Sequence, residues 1–213
     1  YKRQAPERTK GGEILSNDKF PDFKALTDYI HGLGLKFGIY SSPGATTCGG
    51  HVGSYQHEEI DARTWERWGV DYLKYDYCGY LDIEKDSKEE TIQEPYIVMR
   101  NALDKVKRDI VFCVGYGAPN VWNWAAEAGG NQWRTTRDIT DEWNVVTAIG
   151  TFQDVCTDAT APGRNNDPDM LVVGKLGQGW GSKVHDSYLT ADEQYSHISL
   201  WCILSAPLLI GCD

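Results

Sequence analysis

Tyr72-Leu73-Lys74-Tyr75-Asp76-Tyr77-Cys78 is a short apolar run that ends in a carboxylate flanked by a lysine, aromatic rings and a cysteine. Further acids close other short runs: Asp138 in Trp133-Arg134-Thr135-Thr136-Arg137-Asp138, and Asp167 with Asp169 in Asn166-Asp167-Pro168-Asp169. No serine sits in a nucleophile elbow, and neither a phosphate loop nor GxGxxG occurs, so paired carboxylates are the chemistry that remains. Two carboxyls about 5 Å apart across a glycosidic bond divide the work, one as nucleophile and the other as acid and then base. Asp76 and Asp138, each at the end of a predicted strand, are the candidate pair. Each also has a plainer role open to it, as a helix cap or the partner of a nearby base; Asp138 stands just before a predicted helix start at Ile139.

The elements that must position these acids alternate. Apolar residues at helical spacing, closed by glycines such as Gly34, Gly69 and Gly129, predict helices over 24–33, 62–68, 96–107, 119–128, 139–149 and 191–204. Short apolar runs between them predict strands over 35–40, 72–75, 110–114, 133–136, 170–173 and 207–210. The first fifteen residues read as a loop, and no hairpin signal interrupts the series. This is the rhythm of a parallel α/β sheet, in which ligands sit at the carboxyl ends of the strands. A doubly wound sheet or part of an eight-stranded barrel would accommodate it. Chemistry-bearing loops after nearly every strand favour the barrel, and about six strands fall short of its eight. On that reading residues 1–213 are one partial catalytic barrel without a second domain, and roughly its first quarter precedes Tyr1.

Thirty-one acidic residues against 21 Lys and Arg leave a formal charge of −10. Nucleic acid is therefore not an expected partner, and a neutral substrate suits the balance. The chain carries 8 Trp and 12 Tyr; sugar sites use such rings as stacking platforms, although any single ring reads first as core. The longest apolar stretch, 200–212, is broken by Pro207 and is shorter than the roughly 20 residues a membrane span needs, so a soluble protein is expected. The six cysteines form no C-x-x-C pair and the histidines no H-x-H pair, so neither zinc nor another metal is expected. Cys48 and Cys78 lie near two predicted strand ends and are candidates to bridge. Cys113 and Cys202 fall in apolar runs and read as buried free thiols.

The run from Tyr72 to Cys78, Trp133-Arg134 with Asp138-Ile139, and Asn166-Asp167-Pro168-Asp169-Met170-Leu171 together resemble glycoside hydrolase family 27, the retaining α-galactosidases and α-N-acetylgalactosaminidases. Supporting pieces are Lys36-Phe37-Gly38-Ile39-Tyr40, Thr47-Cys48, Gly53-Ser54-Tyr55, Asp61-Ala62 and Ala206-Pro207-Leu208-Leu209. The resemblance implies a (β/α)8 barrel of which this chain supplies strands three to eight. It implies Asp76 as the nucleophile after strand four and Asp138 as the acid/base after strand six. It implies sugar contacts at Lys74, Arg134, Tyr40, Cys78, Gly115, Tyr116 and Asp169, with a supporting or capping role open to Asp167 and Asp169. A Cys48–Cys78 disulfide beside the nucleophile is implied too, and with it an exported or lysosomal setting. No Asn-x-Ser/Thr sequon adds to that. No cofactor is implied. Lys74, two residues before Asp76, shares its strand face.

Departures bear on the sugar. Arg137 stands where relatives carry a small residue or Asn, and strand alternation predicts that it points outward. Val114 or Gly115 occupies a slot where relatives place an acid or glutamine, and Asn165 replaces a usual tryptophan. The family's paired aspartates after strand two would precede Tyr1. The leading expectation is hydrolysis of terminal α-D-galactosyl groups by double displacement. α-N-Acetylgalactosaminides, β-L-arabinopyranosides and isomaltose-type glucans are the alternative substrates. A catalytically incompetent fragment or carbohydrate-binding module is a second class, with an exposed sheet edge at 35–40 as its sign. A metal-dependent barrel hydrolase using Asp76, Asp167, Asp169 and a histidine is a third; His31, His57 and His197 fall on predicted helices or a polar loop and do not support it.

Overall fold

The computed structural model describes residues 4–86, 88–177 and 183–212. They fall into two compact units, one of residues 1–116 with 125–131 and the other of residues 117–124 with 132–213.

The first unit opens with β1 (Gln4–Arg8) and β2 (Ile14–Ser16), which pair antiparallel. The sequence predicted a loop here. Pro6 inside the first run masks the strand, and the turn is a tight one in which Gly12 takes φ +83° and donates to Thr9 O at 2.9 Å. Three parallel strands follow, β3 (Gly38–Ser41), β4 (Tyr72–Tyr75) and β5 (Val111–Val114), in the register Tyr40–Lys74–Cys113 and Ser41–Tyr75–Val114. Before β3 stands α1 (Phe23–Gly32), capped by the Asp22 carboxylate on Ala25 N; α2 (Glu58–Trp68) and α3 (Glu89–Leu103) form the crossovers.

Both crossover helices start earlier than predicted. Glu58, Glu59 and Asp61 in the first turn of α2 complement its N-terminal dipole, although their polarity hides them from an apolar-period search. In α3, Pro95 reads as a start signal but lies inside the helix, where the buried face of Tyr96, Met99, Ala102 and Leu103 holds the turn despite one missing donor. α3 stops at Leu103, short of the predicted 107. Trp65, Leu73, Tyr75, Tyr96, Met99 and Phe112 are fully buried and form the core of this unit. Arg8 fastens the amino-terminal hairpin to α2 through a two-bond pair with the buried Asp61, at 2.6 and 2.8 Å. Leu35 is exposed, and among the described strands of this unit β3 has a neighbour on one side, β4.

The second unit contains α4 (Val121–Trp124), β6 (Gln132–Arg134), α5 (Trp143–Phe152), a 3-10 turn (Gln153–Ala159) and β7 (Asn165–Asp167). It continues with β8 (Lys175–Leu176), β9 (His185–Asp186) and α6 (Ala191–Ile203). β6 and β7 are parallel, with Arg134 opposite Asp167. The predicted strand at 170–173 is displaced: the strand is the polar Asn165-Asn166-Asp167, whose composition reads as a turn. It is a strand because its side chains have buried partners. Trp133 Nε1 donates to Asn166 Oδ1 at 2.7 Å, and Gln132 Nε2 to Asp167 Oδ2 at 2.9 Å. The predicted strand at 207–210 reduces to a single parallel bridge, Leu171 with Ile210.

β8 and β9 pair antiparallel, a ladder of two residues each that carries no hairpin signal in sequence. α5 starts at Trp143 rather than Ile139; the Ile139 N–H donates instead to Asp169 Oδ2 at 2.9 Å, in the loop after β6. α6 begins with a capping box between Thr190 and Glu193. Cys113 is buried as expected, but Cys202 is exposed: it lies on the outer face of α6 with Tyr195 and Ile198, while Trp201 and His197 face inward. The core of this unit joins Ile139, Val146, Ile149, Leu171, Val172, Leu189 and Trp201.

Candidate active site

In the first unit β4 delivers Asp76 to the carboxyl end of the parallel strands, as predicted. Asp76 N donates to Ser41 O at 2.9 Å and so continues the ladder one residue past the strand. Its two carboxylate oxygens have separate donors. Tyr77 N donates to Oδ1 at 2.8 Å and the Tyr40 hydroxyl to Oδ2 at 2.6 Å, contacts that fix the orientation of the carboxylate. The Tyr40 hydroxyl also lies 3.6 Å from Cys78 Sγ.

Cys78 is bonded to Cys48, with Cα atoms 5.2 Å apart. The disulfide ties the loop after β4 to the loop after β3. Glycines let these loops meet: a Cβ on Gly79, which has φ +74°, would come 2.6 Å from Thr46 O. Lys74 is buried and sits in register between Tyr40 and Cys113.

Gly115 and Tyr116 follow β5. Gly115 N donates to Tyr75 O at 2.7 Å, and a Cβ at Gly115 would stand 2.9 Å from that oxygen and 3.3 Å from Asp76 Cα. A glycine is what brings β5 so close behind the acid. The Tyr116 ring stacks on Tyr77 at 4.7 Å, and Tyr77 stacks in turn on Tyr96. The Tyr96 hydroxyl donates to Asp76 O at 3.3 Å. Burial, then the neighbouring Tyr80 and Tyr116 hydroxyls, push the Tyr77 phenol up to about 12. Tyr77 and Tyr96, both pushed up by burial, stay neutral behind Asp76. Tyr40 and Tyr116 are expected at the site from sequence; Tyr77 is visible there only as a ring beside Asp76, and Tyr96 not at all.

In the second unit Arg134 is the centre. Its Nη2 reaches Asp169 Oδ2 at 2.9 Å, Asp138 Oδ1 at 3.2 Å and Thr136 O at 3.2 Å. The two acids differ in setting: the Asp169 side chain is 1% exposed and that of Asp138 76%. Burial would lower the Arg134 pKa, but the charges of Asp169, Asp167 and Asp138 outweigh it and hold the guanidinium above its usual value.

Asp138 does not cap a helix, since Ile139 N goes to Asp169 and α5 starts later. Arg137 is exposed. Asp167 supports Asp169 from below: Asp169 N donates to Asp167 Oδ1 at 2.8 Å. Asp169 adopts φ +83°, a left-handed conformation that a non-glycine residue holds only under such constraint.

Trp201 Nε1 closes the arrangement by donating to Asp169 O at 2.7 Å. Two buried polar atoms at this centre, Asp169 Oδ1 and Arg134 Nε, have no hydrogen-bond partner among the described residues. Trp201, which holds the Asp169 carbonyl, carried no sequence signal of its own.

One group of three potential metal-ligating side chains occurs among the described residues, Cys48, Asp76 and Cys78. Its two sulfurs are joined in the disulfide and are not free thiolates. Asp167 and Asp169 are engaged with Gln132, Arg134 and each other.

The model of the alpha galactosidase A family matches residues 3–213. An alpha-galactosidase of Cyamopsis tetragonoloba is 42% identical over 210 residues, covering 96% of this chain and 46% of the relative. A solved chain from Bacteroides fragilis superposes with a TM-score of 0.88 at 40% identity, over 99% of this chain and 46% of that one. Alpha-galactosidase I from Mortierella vinacea superposes with a TM-score of 0.86 at 32% identity, over 99% of this chain and 55% of that one. The chain thus spans about half the length of the curated relatives it matches. A match over nearly every residue, on a parallel α/β frame, places it: the chain belongs to the alpha galactosidase A family, within glycoside hydrolase family 27.

Proposed function

We propose that this chain is the greater part of the (β/α)8 catalytic barrel of a retaining glycosidase that removes terminal α-D-galactosyl groups. The observation that carries the reading is Asp76: a carboxylate at the end of a parallel strand, held by Tyr40 and by its own following amide, beside the Cys48–Cys78 bridge. Asp76 attacks the anomeric carbon, forming a carbon–oxygen bond as the bond to the leaving oxygen breaks. Asp138 gives that oxygen its proton. In the second step Asp138 takes a proton from water, whose oxygen displaces Asp76 and restores the carboxylate. Two inversions leave the configuration retained, and two carboxyl groups suffice for both steps.

Lys74, Arg134, Tyr40, Tyr116 and Asp169 are the proposed sugar contacts, with Cys78 and Gly115 forming wall. Exposure of Asp138 suits a group that must reach a leaving group and then water. The relatives' names as alpha-galactosidases support the substrate. The upstream strands belong to the rest of the full-length protein in this reading. The disulfide supports an oxidising, extracytoplasmic location. No helix among the described residues is long and apolar enough to cross a membrane.

A panel of chromogenic glycosides offered to the full-length protein tests the substrate. An α-D-galactoside is expected to be cleaved fastest, ahead of the α-N-acetylgalactosaminide, the β-L-arabinopyranoside and an isomaltose-type glucoside. Asp76→Ala and Asp138→Ala, each with added azide, test the roles. The first is expected to yield the inverted glycosyl azide and the second the retained one. Near-normal turnover by Asp76→Ala without azide rejects the assignment.

A further inference from the structure

The disulfide and the nucleophile share more than proximity. Cys48 Sγ, Cys78 Sγ and a carboxylate oxygen of Asp76 all lie within 4.8 Å of one another, with Cys48 exposed and the other two half-buried. The Tyr40 hydroxyl stands over the same spot, 2.6 Å from Asp76 Oδ2 and 3.6 Å from Cys78 Sγ. Two thiolates and a carboxylate are a ligand set for a thiophilic divalent cation, with a fourth position left to water or Tyr40. While the sulfurs are bonded to each other they offer no thiolate. We propose that reduction of Cys48–Cys78 uncovers a cation site made of Cys48, Cys78 and Asp76, and that its occupation blocks the nucleophile.

The chemistry balances with a dithiol as reductant. It delivers two electrons and two protons to the sulfur–sulfur bond, leaving two thiols and its own cyclic disulfide. Zinc or cadmium then displaces the two thiol protons as it binds. In a tetrahedral zinc site sulfurs about 2.3 Å from the metal stand roughly 3.8 Å apart, which side-chain rotation supplies while the Cα atoms keep their 5.2 Å separation.

The backbone has reasons to stay in place without the bond. A Cβ on Gly44 would collide with Cys78 O and with the Gly79 backbone, so the two loops are packed main chain to main chain. The first loop is closed on itself by Gly53 N to Ala45 O at 2.9 Å and Thr47 N to His51 O at 2.8 Å. Reduction therefore leaves two thiols facing one another beside a carboxylate. Inhibition by the cation rests on the reading of Asp76 as nucleophile; binding does not.

The test uses the full-length protein, with cadmium as the probe. Before reduction, cadmium is expected to give no sulfur-to-metal charge-transfer absorption and no loss of turnover on an α-galactoside. After a dithiol has been applied and removed anaerobically, the band is expected to appear at one equivalent, with at least tenfold loss of turnover that a chelator restores. In Asp76→Asn, which keeps both sulfurs, cadmium affinity is expected to fall by roughly tenfold or more, since even outer partners of a metal site are worth that much.

A band that persists in the Cys48→Ser, Cys78→Ser double variant comes from other thiols of the protein and overturns the site. Loss of the far-ultraviolet circular dichroism on reduction alone overturns it also, because the site needs the fold. A reduced protein that binds cadmium normally but never cleaves any glycoside keeps the site and sinks the functional reading instead.

Discussion

Arg134 and Asp169 form a buried ion pair, 2.9 Å between Nη2 and Oδ2, with side-chain exposures of 5% and 1%. The same guanidinium nitrogen holds the exposed Asp138, so one nitrogen of a buried arginine joins a core carboxylate to the proposed acid/base. An ion pair so placed is costly to break from one side, since the remaining charge stays buried without its partner. Asp169→Asn is expected to destabilise the full-length protein by about 3–5 kcal/mol, read as a lowered urea midpoint with unchanged slope. A shift below about 1 kcal/mol, the scale of an exposed pair, would show that the pair is open to water.

Tyr40 touches the proposed nucleophile with a single hydroxyl. Tyr40→Phe removes one donor to a carboxylate and keeps the ring. Such a bond is worth about 1.5–3 kcal/mol, so kcat/KM on an α-galactoside is expected to fall by roughly 10- to 100-fold with the thermal midpoint little changed. Wild-type kinetics in this variant would remove Tyr40 from the site.

His197 is fully buried on α6, where its Nε2 accepts from Val172 N at 3.2 Å and its ring meets Trp201 edge-on at 4.2 Å. Burial lowers its pKa to about 4. The unfolded chain, with a histidine near 6.5, binds the proton first, so stability is whole above about 6.5 and is lost as pH falls through about 4. The expected loss across that window is about 3 kcal/mol. His197→Gln should flatten the dependence of the urea midpoint on pH between 7 and 4; an unaltered slope would assign the loss elsewhere.

Asp71 adds a second acid-labile contact at lower pH. Its carboxylate accepts from Phe37 N at 2.8 Å and pairs with His31 and Arg108, each at 2.6 Å. Partial burial opposes its charge, but these three donors outweigh it and hold the group down at about 2. Its stabilisation is present above about 3.9 and disappears as pH falls through about 2, so Asp71→Asn is expected to weaken the protein at neutral pH and not at pH 2. Equal destabilisation at both pH values would mean that the contact is not electrostatic.

Gly115 tests how closely β5 must approach the acid. Gly115→Ala would put a methyl 2.9 Å from Tyr75 O and 3.3 Å from Asp76 Cα, tight enough to shift the backbone behind the nucleophile. The expected result is a loss of kcat greater than the loss of stability, since a displacement of about 1 Å can cost roughly 100-fold in rate. Equal kcat with lowered stability would make the glycine purely a packing requirement.

The alternation of helix and strand, the placement of Asp76 at a strand end and the outward-facing Arg137 were legible because each depends on neighbours along the chain. Period, glycine stops and strand alternation are local properties. The elements misread are those whose stability comes from elsewhere. Asn165–Asp167 has the composition of a turn and is a strand because Gln132 and Trp133 satisfy its side chains. Ile139 looks like a helix start but lies in a loop whose amide is held by Asp169, thirty residues on, and α5 begins at Trp143. Cys202 has an apolar setting in sequence and an outward one on α6.

Which acids are available, and that Asp76 ends a strand, can be read along the chain, because side-chain identity and strand period need no partner. How they differ depends on the folded surroundings of each. Asp76 gained a tyrosine and a disulfide as neighbours, Asp169 was drawn into the core by Arg134, Trp201 and Asp167, and Asp138 was left in water on the same guanidinium. Burial and hydrogen bonding to residues distant in sequence set what a carboxylate can do, and neither is written in its immediate neighbours.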